Sequence, residues 1–186
     1  MLRLDRPRFP RSTALRVGAP ETHLLAVQSN LAATYQLVGR QEDSMRLKQD
    51  VYSGFVKLHG EEHDFTLIAA NNYASSLNGL RRFEEAKTFL RRTLPVARRV
   101  LGECDDTTFR FRWNYGRALY GDDCATLDDL CEAVATLDDT ERIARRVLGG
   151  SNPLAIDIEK ALRHERALLH ARETPQPAED RAEEVD

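Results

Sequence analysis

The residues best equipped for chemistry lie in one short stretch. Arg110, Trp113 and Arg117 stand three and four residues apart, a spacing that puts them on one face of a helix. Phe111, Tyr115 and Leu119 recur every four residues on the opposite side and mark that side as buried. A tryptophan flanked by two guanidinium groups suits an acidic or aromatic peptide, because Arg and Trp are typical anchors of protein interfaces. The competing reading packs Trp113 beneath a following helix, with the Arg stems laid over it. Other candidate groups lead nowhere catalytic. His59 and His63 straddle a turn with no third metal ligand close in sequence. Asp122-Asp123 and Asp128-Asp129 lack the alternating ligands and closing Glu of a calcium loop. No Ser/His/Asp order, P-loop or glycine-rich phosphate cradle occurs. These residues predict a chain that is not an enzyme and holds no metal or cofactor.

The elements that carry these groups read as helices. Charged residues make up 31% of the 186 and aromatics 7%; Ala, Leu and Arg are abundant and strand formers sparse, which favours helix. The net charge of −3 offers no general attraction for nucleic acid. Charge is uneven, however. Residues 1–20 are basic, with five Arg against Asp5, and residues 173–186 carry six acids against Arg181. Cys104, Cys124 and Cys131 form no CxxC pair and predict reduced thiols. No apolar run reaches the roughly 18 residues of a membrane span, so no membrane contact and a cytoplasmic location are expected. The basic, acid-poor start also has the composition of an organelle transit peptide, but Pro7 and Pro10 interrupt the helix such a peptide needs.

Gly18, Gly60, Gly102 and Gly149 each end a helical run, at spacings of 42, 42 and 47 residues. The segments that follow repeat their chemistry: HLLAVQSNLAATY, DFTLIAANNYASSL and DTTFRFRWNYGRAL. Asn30, Asn72 and Asn114 fall in register, as do Ala32, Ala74 and Gly116, and Tyr35, Leu77 and Leu119. An amide offers a donor and an acceptor together, which suits either an extended peptide or the neighbouring repeat. The small column predicts close helix approach. Second helices are expected near 41–59, 82–100 and 127–147, after turns in which Gly39 and Gly79 act as C-cap glycines. Thr126 reads as an N-cap with Asp129 near the positive helix end. Asn152-Pro153 opens a last helix near 153–172, whose outward face is expected to hold Glu159, Arg163, Glu165 and Arg166. Pro95 predicts a kink or a break around Thr93-Leu94.

The architecture that follows is an all-α solenoid of about three helix pairs plus a C-terminal capping helix. Its segments are a basic start over 1–20, repeats over 21–60, 61–102 and 103–149, a cap over 150–172 and an acidic tail over 173–186. Residues 12–17 lead into Gly18 much as Arg-Arg-Val-Leu leads into Gly102 and Gly149, and read as a remnant of a preceding repeat.

The stretch GEEHDFTLIAANNYASSLNGLRRFEEAKTFLRRTLPVARRVLG, residues 60–102, resembles the 42-residue tetratricopeptide repeat of kinesin light chains. That resemblance implies a scaffold that binds a protein or peptide partner, or a motor-adaptor fragment. It also implies that the first helix of each pair, the A helix, lines a concave groove. The positions it assigns to the groove are Ser29, Ala33 and Gln36, then Asn71, Ser75 and Asn78, then Arg110, Trp113, Arg117 and Tyr120. The column Asn30, Asn72 and Asn114 borders the same surface. The string Glu183, Glu184, Val185, Asp186 resembles the tail of cytosolic heat-shock chaperones that tetratricopeptide domains capture. It implies a second role, as ligand of another repeat protein.

Overall fold

The computed structural model describes residues 19–122 and 124–174. Among these, seven helices follow in order: α1 (Ala19–Leu37), α2 (Gln41–His59), α3 (Asp64–Gly79), α4 (Phe83–Leu101), α5 (Asp106–Tyr120), α6 (Leu127–Leu148) and α7 (Pro153–Glu173). Each packs against the next, and α3 also packs against α5 and α5 against α7. Helices α1, α3 and α5 are thus A helices paired with the B helices α2, α4 and α6, and α7 closes the stack. The chain is an all-α solenoid. The segment 1–18, which includes residues 12–17, lies outside the described residues. So do Asp123 and the tail with Glu183, Glu184, Val185 and Asp186.

The glycine period has a backbone cause. Gly60, Gly102 and Gly149 cap α2, α4 and α6 with φ of 84°, 89° and 85° and ψ of 172°, 166° and 153°, a region open essentially to glycine alone. Three residues later His63, Asp105 and Asn152 N-cap the next helix, each side chain accepting from the backbone N–H two residues on. One turn, repeated three times, therefore reverses the chain from each B helix onto the next A helix.

The turns inside the pairs are less uniform. After α1, Gly39 takes φ 82° while the Arg40 N–H bonds the Tyr35 carbonyl at 2.8 Å. After α3 the same bond runs from Arg82 to Leu77 at 2.9 Å, but the left-handed residue is Arg81, φ 59°. Gly79 is still helical, two residues too early to cap as expected. The longer third turn ends in a full capping box: Thr126 accepts from the Asp129 N–H, and the Asp129 carboxylate accepts from the Thr126 N–H.

Pro95 does not break its helix. Helix α4 runs unbroken from Phe83 to Leu101, because Pro95 faces solvent and the Arg91 carbonyl it leaves unpaired belongs to an exposed residue that water can serve.

The small column does what its size requires. Ala32 and Ala74 are fully buried, and a Cβ on Gly116 would meet Leu137 Cγ at 2.9 Å. A second expectation fails at α7. Arg163 and Arg166 are exposed, but Glu165 is fully buried rather than outward-facing. It occupies the column of Ser76 and Ala118, one helical turn beyond Leu162 on the packed stripe.

Candidate functional site

The expected groove residues divide into two sets. Asn71, Asn78 and Asn114 are buried and bond one another across the α3–α5 junction. Asn114 Nδ2 donates to Asn71 Oδ1 at 3.0 Å, and Asn78 Nδ2 donates to the Asn114 carbonyl at 2.8 Å. These bonds join consecutive A helices, and the Asn78 Oδ1 is buried with no hydrogen-bond partner among the described residues. A buried polar network of this kind fixes the relative placement of the helices it joins.

Asn30, Ala33, Gln36 and Arg110 are exposed, and Ser29, Asn72, Ser75, Trp113, Arg117 and Tyr120 are half-buried. The column Asn30, Asn72, Asn114 therefore runs from exposed to buried along the array. Arg110 is held by Asp106 at 2.7 Å in an exposed i,i+4 pair, a contact of little energetic weight. Trp113 packs against the cluster of Phe109, Leu137 and Ile158 under α7 and keeps part of its surface open. Tyr120 meets His164 edge-on at 6.0 Å. Burial raises its hydroxyl pKa, the nearby Glu165 raises it further, and Arg117 opposes both. Helix α5 thus presents Arg110, Trp113 and Arg117 along one half-open strip beside the sealed amide network.

Two further charged groups are buried, one that the sequence reading missed and one that it placed on the surface. Lys48 on α2 is buried and donates to Gln36 Oε1 at 2.5 Å and Ser76 Oγ at 2.8 Å, linking α1, α2 and α3. The Ser76 hydroxyl in turn donates to the Asn72 carbonyl at 3.2 Å. Burial lowers the Lys48 pKa. Its register partners, 42 and 89 residues on, are the fully buried Leu90 and Leu137, so a Lys in a Leu column was a usable signal. Glu165 is the second. Neither carboxylate oxygen has a hydrogen-bond partner among the described residues, and burial pushes the carboxyl up to about 8.

The remaining candidates are structural in their geometry. His63 Nδ1 accepts from the Phe65 N–H, and the ring stacks on His59 at 4.3 Å. Burial, then the His63 charge, lowers the His59 pKa. The three cysteines are exposed and free. Among the described residues no three His, Cys, Asp or Glu side chains converge on a metal-sized site, and no helix is long and apolar enough to cross a membrane. A cavity of about 570 Å³ opens between α3 and α4, lined by Tyr73, Leu77, Glu84, Glu85, Phe89 and Arg92 among others. It includes none of the groove candidates.

Comparison with known proteins agrees with this geometry. The tetratricopeptide repeat family model matches residues 23–99. No curated protein matches the chain significantly. Among solved structures, the TPR-like repeats of a Podosopora anserina protein designated a kinesin light chain superpose with a TM-score of 0.64 at 21% identity, covering 86% of this chain and 72% of that one. A single-substitution variant of the same repeats gives 0.67 at 20% identity over the same shares. BtubC (BKLC) from P. vanneervenii gives 0.53 at 18% identity, covering 89% of this chain and 72% of its own. At such identities the likeness is one of fold. The repeat model matches residues 23–99 only, and together with the glycine-turn period and these neighbours it gives the chain a kinesin light chain-like tetratricopeptide-repeat fold.

Proposed function

We propose that the chain is a non-catalytic, cytoplasmic scaffold that binds an acidic or aromatic peptide segment of a protein partner along its A-helix face. Its working units are the repeats 21–60, 61–102 and 103–149, closed by the helix over 150–172. Asn30, Asn72, Ser75, Arg110, Trp113 and Arg117 supply the contacts, while Asn71, Asn78 and Asn114 serve as the rigid floor. The observation that carries this reading is the half-open Arg110, Trp113, Arg117 strip beside a floor whose amides bond each other. A planar guanidinium and an indole that are partly pre-ordered by packing lose little entropy on engaging a ligand.

The test uses the chain's only tryptophan, Trp113, as its own reporter. Titration of the purified protein with peptides selected from a random array is followed by intrinsic fluorescence. Acidic or aromatic peptides shift the emission, and the Arg110→Ala/Arg117→Ala double variant binds them at least about tenfold more weakly with unchanged helical content. Equal binding by the double variant would refute the assignment. A second reading, in which the tail Glu183, Glu184, Val185 and Asp186 is itself a ligand of another repeat protein, rests on that string alone. It requires that deleting the four residues abolish capture by an isolated carboxylate-clamp domain.

A further inference from the structure

The two seams between neighbouring B helices use the same positions and are closed differently. Between α4 and α6, the Tyr115 hydroxyl of α5 accepts from Arg91 Nε at 2.9 Å and donates to Glu132 Oε1 at 2.6 Å. Arg91 Nη2 pairs with Glu132 Oε2 at 3.0 Å, and Lys87 adds a second bridge to Asp129 at 3.3 Å. A phenol, a guanidinium and a carboxylate thus form a closed triangle across that seam.

Stepping back by 42 residues in α4 and α5, and by 47 in α6, gives the seam between α2 and α4. Tyr115 becomes Tyr73 and Glu132 becomes Glu85, so the phenol and the carboxylate are kept. Arg91 becomes Gln49 and Lys87 becomes Met45, so both cations are lost. Gln49 is exposed. Tyr73 is only 9% exposed, yet its hydroxyl has no hydrogen-bond partner among the described residues. The cavity of about 570 Å³ lies at these residues, with Tyr73 and Glu85 both in its wall. The first seam therefore keeps two corners of the triangle and is hollow beside them.

The walls say what fits. The volume is that of a ligand site. The Tyr73 and Phe89 rings stand at 83° with centroids 5.2 Å apart, an aromatic corner of the kind on which a planar guanidinium stacks. Glu84 and Glu85 set two carboxylates against one lining cation, Arg92, which leans on the Phe89 ring at 5.9 Å. Each acid has a neighbour on its own side of the seam: Lys87 meets Glu84 at 2.5 Å and Arg82 meets Glu85 at 2.6 Å. Both carboxylates are nonetheless more than half exposed, a setting in which an ion pair contributes little and a second cation can share the acid. Glu84, Thr88 and Arg92 are exposed, so the cavity is reached from solvent.

We propose that this cavity binds an arginine side chain of a partner protein, which supplies between α2 and α4 the guanidinium that Arg91 supplies between α4 and α6. The site shares no residue with the A-helix strip on α5, and the two readings stand or fall separately.

The probe is acetyl-arginine amide, titrated into the full chain and followed by backbone amide chemical shifts, with acetyl-citrulline amide as its neutral isostere. The arginine probe is expected to move resonances around Tyr73, Glu85 and Phe89, and the citrulline probe to bind at least about tenfold more weakly. Gln49→Arg restores the third corner from within the chain. It should abolish binding and keep the helical content of the parent, since position 49 is exposed. Tyr73→Phe keeps the ring, removes the hydroxyl and should weaken binding about fivefold. No shifts around Tyr73, equal binding of the citrulline probe, or undiminished binding by Gln49→Arg would each overturn the inference. Shifts confined to Trp113 and Arg117 would overturn it too, by placing the probe in the strip. So would tighter binding of free arginine, which would make a small molecule rather than a protein side chain the occupant.

Discussion

Among the described residues, helices α1 and α7 are A helices with helical neighbours on one side only, and their outward faces differ. On α7 the columns that are Ala or Gly and Leu inside the array become Arg163 and Arg166. On α1 the columns that are buried inside the array remain Leu24, Val27 and Leu31 and face solvent. A polar terminal face keeps a repeat stack soluble and single, and of these two faces that of α7 is the charged one. The lesson is that a cap is written in particular columns. It can be recognised by asking which interior positions have changed type at the edge.

Several substitutions would break or sharpen this contrast. The largest effect should come from truncating one column at both ends. Ile158→Ala removes a fully buried side chain from the α6–α7 cluster and should cost about 2–5 kcal/mol. Val27→Ala, its register mate, should stay within about 0.5 kcal/mol. Urea melts of the two variants decide it, and equal losses would mean that α1 is covered after all. The turns should not share this asymmetry. Gly60→Ala and Gly149→Ala each force Ala into a backbone region reserved for Gly, with nothing near the added methyl. Both should lose about 1–3 kcal/mol, one near each end of the array.

Next comes a flaw in the otherwise polar finish of α7. The Glu165 carboxyl is raised from its usual 4.5 to about 8 by burial, so between those values the folded chain holds a proton that the unfolded chain has released. Stability is therefore full below about pH 4.5, falls as pH rises toward 8, and levels off above. Thermal melts across that range should show the decline for the parent protein, and Glu165→Gln should flatten it. The smallest effect concerns the paired turns. Arg81→Gly relieves a left-handed arginine where the first turn already has Gly39. A gain of up to about 1 kcal/mol is expected, reduced by the loss of the contact between Arg81 and the Phe83 ring.

What could be read from the chain beforehand follows from which features are local. The 42-residue glycine period was legible because a positive-φ turn tolerates little else, and the caps at Asn152 and Thr126 were legible because capping uses a side chain and its own next residues. The helices accordingly fall within a residue or so of where spacing put them. The groove was harder. Asn71, Asn78 and Asn114 looked like ligand contacts, and whether an amide meets a peptide or another amide depends on how closely α3 and α5 approach. That distance is set by packing between helices and not by any spacing within one. Lys48 was missed and Glu165 misplaced for the opposite reason, since charge argues for the surface while their columns argue for the core. The column was the better guide.

The sequential packing of the helices also gives the molecule a polarity in time. Helix α1 rests on α2, whereas α7 is held by both α6 and α5, so the two ends do not open with equal ease. Amide hydrogens of α1 should exchange first, those of α3 to α6 last, and those of α7 in between. The chain would then come apart directionally, beginning at the helix that carries the bare aliphatic face, and anything seated on that face would slow the first step of unravelling.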